Sequence, residues 1–89
     1  MVKKNFVNTG VYLKEKRIKA GLKQVDVANK LKCKSQFICN WERGASTPPW
    51  RLLKTLIKIY DISDNEIMNF LLKEYEVLVR TKLGFKSKK

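Results

Sequence analysis

Apolar residues recur along this chain at three- and four-residue intervals, in short blocks separated by glycine, proline and small polar residues, and strict alternation is nowhere sustained. The pattern predicts five helices and no strands. The first covers about 10–20, capped by Asn8 or Thr9, with Leu13 and Arg17 one turn apart; Gly21 stops it and lets Leu22 fold back. The second covers 24–31, where Val25, Ala28 and Leu31 recur at three-residue spacing and Val27 widens the buried face. After Lys32-Cys33-Lys34 a third spans 35–43 and ends at Gly44, a left-handed cap. A fourth opens at Pro48-Pro49 and buries Trp50, Leu53, Leu56, Ile57 and Tyr60. Ser63-Asp64-Asn65-Glu66 fits a capping box in which Ser63 and Glu66 each satisfy a free backbone donor, opening a long fifth helix over 64–83.

At 89 residues the chain holds one small domain, and the pattern makes it all-α. The helices occupy residues 10–83; residues 1–9 and 84–89 read as a basic N-terminal arm and a basic tail. No stretch reaches about 18 consecutive apolar residues and Met1-Val2-Lys3-Lys4 leads into no signal-peptide core, so a cytoplasmic protein without membrane contact is expected. Two cysteines and no histidine exclude a disulfide framework and a closed zinc site of four protein N/S ligands. No cofactor and no metal are expected.

Charge changes the picture most. Twenty Lys+Arg against 8 Asp+Glu give +12, a field that attracts polyanions, and nucleic acid is the leading partner class. The excess is uneven: Met1 to Arg51 carries 12 basic and 3 acidic residues, whereas Leu52 to Lys89 carries 8 and 5. The N-terminal half is therefore the polyanion-facing part.

At about 100° per residue, the third helix gathers Phe37, Ile38, Trp41 and Glu42 on one side and Ser35, Gln36, Cys39, Asn40 and Arg43 on the other. The second side presents donors, acceptors and a cation. Amides can bond adenine bidentately, serine can bond several base edges, and arginine takes guanine or phosphate. A solvated polar face would look the same on an isolated helix. Here a very short turn joins it to the preceding helix, and Lys30, Lys32, Lys34 and Arg43 flank it as phosphate partners.

"RIKAGLKQVDVANKLKCKSQFICNWERGASTP" resembles the helix-turn-helix core of the phage repressor and Cro (XRE-type) family, and the likeness extends through "PWRLLKTLIKIYDISDNEI", covering about Leu13 to Ile67. Its marks are Gln24 opening the second helix, Ala28 at the helix crossing, Ile38, the "NWERG" ending and the spacing to Pro48. The resemblance implies a compact five-helix repressor-like domain with the helix-turn-helix at helices 2 and 3. It implies Ser35, Gln36 and Asn40, with Lys34 at the margin, as base-reading residues. It implies backbone-phosphate contacts from Gln24, at a helix N-terminus that favours anions, and from Arg43, Ser46 and Thr47. Arg17 and Glu42 match a family ion pair between the first and third helices, and Glu42 sits toward the apolar face, where an unpaired carboxylate would be costly.

The chain departs from that pattern in three places. Lys32 stands where the turn usually has glycine, so either a non-glycine residue takes a positive φ, at about 1 kcal/mol, or the turn differs slightly. Lys23 replaces the usual small hydroxyl cap of the second helix, exchanging a cap for a cation beside the phosphates. Phe37 replaces a small residue, to pack beside the core or to reach a thymine methyl.

Cys33 and Cys39 are too far apart around and along a helix to share a bond or a metal. Cys33 matches a small apolar position in the turn. Cys39 lies on the reading face among cations, either a serine-sized filler or a redox-sensitive thiol. The fifth helix carries two apolar stripes, Ile67-Leu71-Leu78 and Phe70-Leu72-Val79-Leu83, pointing in different directions. One faces the core and the other a second copy, with Phe70, Leu71, Tyr75, Leu78 and Val79 as the expected pairing residues; alternatively the helix ends pack back on the fourth helix.

The sequence thus points to a sequence-specific DNA-binding transcription regulator, a homodimeric repressor reading a roughly palindromic operator in the major groove. The alternative is an antitoxin-type interaction protein that binds DNA and captures a partner protein through the fifth helix. Without histidine, a glycine-rich phosphate loop or paired carboxylates in a plausible pocket, it does not read as an enzyme.

Overall fold

The computed structural model describes residues 7–84, with the backbone only at Val7; the outer parts of both basic arms, 1–6 and 85–89, lie outside the described residues. Helix α1 (Val7–Lys19) begins three residues before the expected start, so Asn8 and Thr9 lie inside it and cap nothing. The reason is Gly10, which is a contact residue and not a boundary. A Cβ there would sit 2.5 Å from the Glu42 carbonyl oxygen and 2.6 Å from that of Trp41, so α1 crosses the end of the third helix backbone to side-chain-free backbone. Gly10, Leu13 and Arg17 form one buried stripe at helical spacing. Gly21, at φ 77°, ends the helix, and the Leu22 N–H turns back to the Arg17 carbonyl at 3.2 Å.

Helices α2 (Gln24–Leu31) and α3 (Ser35–Glu42) follow, joined by Lys32-Cys33-Lys34. Val27 and Ala28 are buried and Leu31 is half-buried, but Val25 is 51% exposed, contrary to the expected face. A strict three-residue spacing drifts by about 60° per step around a helix, which carries Val25 off the buried side. Ile38 and Trp41 of α3 enter the core.

Helix α4 (Trp50–Ile59) buries Leu53 and Leu56, and Tyr60 caps it from inside the core. Trp50 does not join them. It is 79% exposed, because it points about 90° away from the Leu53-Leu56-Tyr60 face, and Ile57 is only half-buried. Asp61 takes a left-handed conformation, φ 55°, which lets the Ile62 N–H reach the Ile57 carbonyl at 3.0 Å and drops Ile62 into the core.

Helix α5 (Asp64–Leu83) occupies the expected range. Ser63 Oγ accepts the Glu66 N–H at 3.1 Å, which is half of the capping box. The Glu66 carboxylate is engaged elsewhere: it accepts the Tyr12 hydroxyl at 2.7 Å and pairs with Lys16. Tyr12 also stacks on Phe70, ring centroids 4.1 Å apart, so α1 is clamped to the first two turns of α5. Among the described residues there are five helices and no strand, an all-α globule with one core running from Leu13 to Ile67.

Candidate nucleic-acid interface

Residue types explain why α3 stands where it does. Its inward face, Ile38 and Trp41, packs against α1 and α2, and its outward face carries no long aliphatic chain. The link to α2 turns tightly because Lys32 adopts φ 57° and ψ 46°, giving its N–H and that of Cys33 to the last turn of α2. A lysine therefore occupies the left-handed position. Cys33 packs half-buried against the core.

Glu42 fixes the other end of α3. Its side chain is only 4% exposed, and it accepts Arg17 Nε at 2.6 Å and Nη2 at 3.0 Å, a bidentate fork, together with Gln24 Nε2 at 3.0 Å. Arg17 Nη1 bonds the Leu22 carbonyl at 2.8 Å, so one guanidinium joins α1, the turn before α2 and the end of α3. These hydrogen bonds to Glu42 raise the pKa of Arg17 above its ordinary value, outweighing the desolvation that would lower it. Among the described residues every buried side-chain N or O has a partner. Gln24 gives one amide hydrogen to Glu42 and keeps the second.

On the outward face Gln36 Nε2 donates to Asn40 Oδ1 at 2.9 Å, and Arg43 Nη2 donates to the same oxygen at 2.8 Å. The spacing i, i+4 and i, i+3 makes this ladder legible in sequence, although the pattern alone does not show that Asn40 would be its shared acceptor. Ser35, Gln36, Phe37 and Arg43 are exposed, while Cys39 and Asn40 are half-buried on the same side. Phe37 is half in solvent, at the margin of the polar face. Lys34 precedes α3 in extended conformation and caps it with no side-chain bond. Lys23 stands likewise before α2, where the Asp26 carboxylate accepts its N–H at 2.9 Å. Ser46 and Thr47 follow Gly44 in the loop leaving α3. The structure thus brings Lys34, Ser35, Gln36, Asn40 and Arg43 to one surface, with Gln24 at its edge against Glu42.

Two helices of eight residues, a three-residue turn with a left-handed first position, and a buried tie from α1 make up the arrangement. A family model described as a helix-turn-helix domain matches residues 9–70. The chain belongs to the helix-turn-helix family. No curated protein and no solved structure matches the chain. The helix-turn-helix match ends within α5, at its second turn, so the rest of that helix lies beyond it. No helix among the described residues is long and apolar enough to cross a membrane.

The residues expected to pair two copies divide. Phe70, Leu71 and Val79 are half-buried, the first against Tyr12 and the second against the core, whereas Tyr75 and Leu78 are exposed. With α1 and the segment Thr47–Trp50, Phe70, Leu71, Tyr75 and Leu78 line an apolar groove of about 480 Å³, which Val79 does not reach. That groove escapes a sequence reading because its walls come from three distant parts of the chain.

Proposed function

We propose that this helix-turn-helix protein is a homodimeric transcriptional repressor of the phage repressor and Cro type, which places α3 in the major groove of a roughly palindromic operator. The observation that carries the reading is the polar outward face of α3, held on a buried ion pair that leaves its side chains no other structural task. Ser35, Gln36 and Asn40 read base edges, and Lys34 reaches the groove margin. Lys23, Gln24 with its remaining amide hydrogen, Arg43, Ser46 and Thr47 hold phosphates on either side, aided by the unpaired N–H groups at the start of α2. The +12 charge supplies the counterion-release part of affinity, and the reading involves no catalysis.

The groove beside α5 supports pairing, which sets two reading helices about 34 Å apart, one duplex turn. The exposed apolar residues of α5 also favour a second reading, an antitoxin-type protein whose helix holds another protein. Selection of bound sequences from random duplexes, with binding measured across salt, tests the proposal. A motif of two half-sites is expected; equal binding to every duplex would reduce the function to nonspecific coating of DNA.

A further inference from the structure

Helix α5 extends about 30 Å, and among the described residues Ile67, Phe70 and Leu71, in its first turns, pack it against the core and α1. Farther along, Leu72, Tyr75, Val77, Leu78 and Leu83 are each more than 40% exposed. Around the helix all of these but Val77, joined by Val79, form two sets. Tyr75 and Leu78 look into the groove whose opposite lip is Pro48, Pro49 and Trp50. Leu72 and Leu83, with the half-buried Val79 between them, lie about 90° farther round. One molecule therefore carries both an apolar ridge and an apolar groove, adjacent on the same helix.

We infer that two copies exchange these features: the Leu72-Val79-Leu83 ridge of each lies in the other's groove, under the other's Trp50. This deepens the dimer reading above and rests on it. A two-fold axis requires that a patch be complementary to itself, and a ridge beside a groove meets that condition. Charge selects a copy as the occupant. The chain carries +12, yet along the stretch of α5 that would meet the other copy Glu74 and Glu76 stand against Lys73, Arg80 and Lys82, so two copies meet there with little repulsion. Area agrees as well. Covering the exposed parts of Trp50, Leu72, Tyr75, Leu78 and Leu83 withdraws on the order of 600 Å² per copy, against about 800 Å² per partner in a standard interface. The polar rim supplies the remainder. Trp50, large and uncovered at the lip, is the anchor.

The test uses the full chain without DNA, so a failure of operator recognition leaves its outcome unaffected. Sedimentation over a concentration series should show a monomer–dimer equilibrium, and Trp50 should become shielded from acrylamide over the same range while the buried Trp41 does not change. Trp50→Ala and Leu72→Glu should each weaken dimerisation at least tenfold, with helical circular dichroism preserved. Mixing the two variants should restore part of the association, because the pair retains one intact ridge and one intact groove. A monomer at several hundred micromolar, or a dimer indifferent to both substitutions, would overturn the exchange. So would Trp50 shielded at every concentration in a monomer, which would show that the chain's own termini, and not a second copy, fill the groove.

Discussion

Helices α3 and α5 are both amphipathic, but they leave opposite faces uncovered. In α3 Ile38 and Trp41 enter the core, and what remains outside is serine, two amides, Cys39 and an arginine at its end, with Phe37 half in solvent at the margin. In α5 the first turns are used and the remainder exposes Leu72, Tyr75, Val77 and Leu78. A polar face on a rigidly fastened helix suits a polar, charged surface such as a duplex. An apolar face on a projecting helix is stable in water only at a cost, and burial against protein relieves it. On the proposed reading, the contrast separates the surface offered to DNA from the surface offered to a second copy within one small domain.

The contrast can be broken most forcefully at Arg17. Arg17→Ala leaves the Glu42 carboxylate buried without its fork, and stability should fall by about 3 kcal/mol or more in a urea melt. A melt indistinguishable from wild type would mean that α3 is held by packing alone. Gly10→Ala follows, because the methyl group meets two backbone carbonyls that cannot rotate away; a loss of about 1–3 kcal/mol is expected. No comparable loss is expected for substitutions at Tyr75, which is 65% exposed at the edge of the groove.

On the DNA side the order of effects reverses. Gln36→Ala and Asn40→Ala should leave the melt within about 0.5 kcal/mol of wild type yet each cost about 1–3 kcal/mol at particular base pairs, measured by anisotropy on matched and mutated duplexes. Lys34→Ala should weaken all sequences alike if it meets phosphate. A smaller effect concerns the turn: Lys32→Gly removes a strained left-handed lysine and should raise stability by at most about 1 kcal/mol.

The smallest effect is a pH dependence where α1 meets α5. Hydrogen bonds from Lys16, then from Tyr12, hold the Glu66 carboxyl below the ordinary carboxylate range. Burial first, then the bond to Glu66, pushes the Tyr12 hydroxyl up. A lowered carboxyl stabilises the fold above its unfolded value and loses that contribution as pH falls through the folded one, so melting temperature should decline below about pH 4.5. A raised tyrosine acts at the other end, its contribution declining as pH rises above about 10. Glu66→Gln should flatten the acid limb.

Much of the fold was legible because local chemistry marks it. Gly21 stops α1, Ser63 caps α5, and the ranges of α2 and α5 coincide with their apolar periodicity. The misplaced start of α1 and the misjudged Val25 and Trp50 share a cause: each depends on which neighbour a residue meets, and spacing alone does not name the neighbour. Asp61 gave no warning, since aspartate at a helix end serves many geometries. At the interface, residue types placed Ser35, Gln36, Asn40 and Arg43 on one face. That Gln24 binds Glu42, and that Gln36 and Arg43 converge on Asn40, required coordinates.

The central claim is that the outward face of α3 reads bases. Duplex selection carried out in parallel on the wild-type protein and on Asn40→Ala tests it most directly. The variant should recover the wild-type motif with preference lost at one base step in each half-site and the flanking positions unchanged. An identical motif from both proteins would contradict the account.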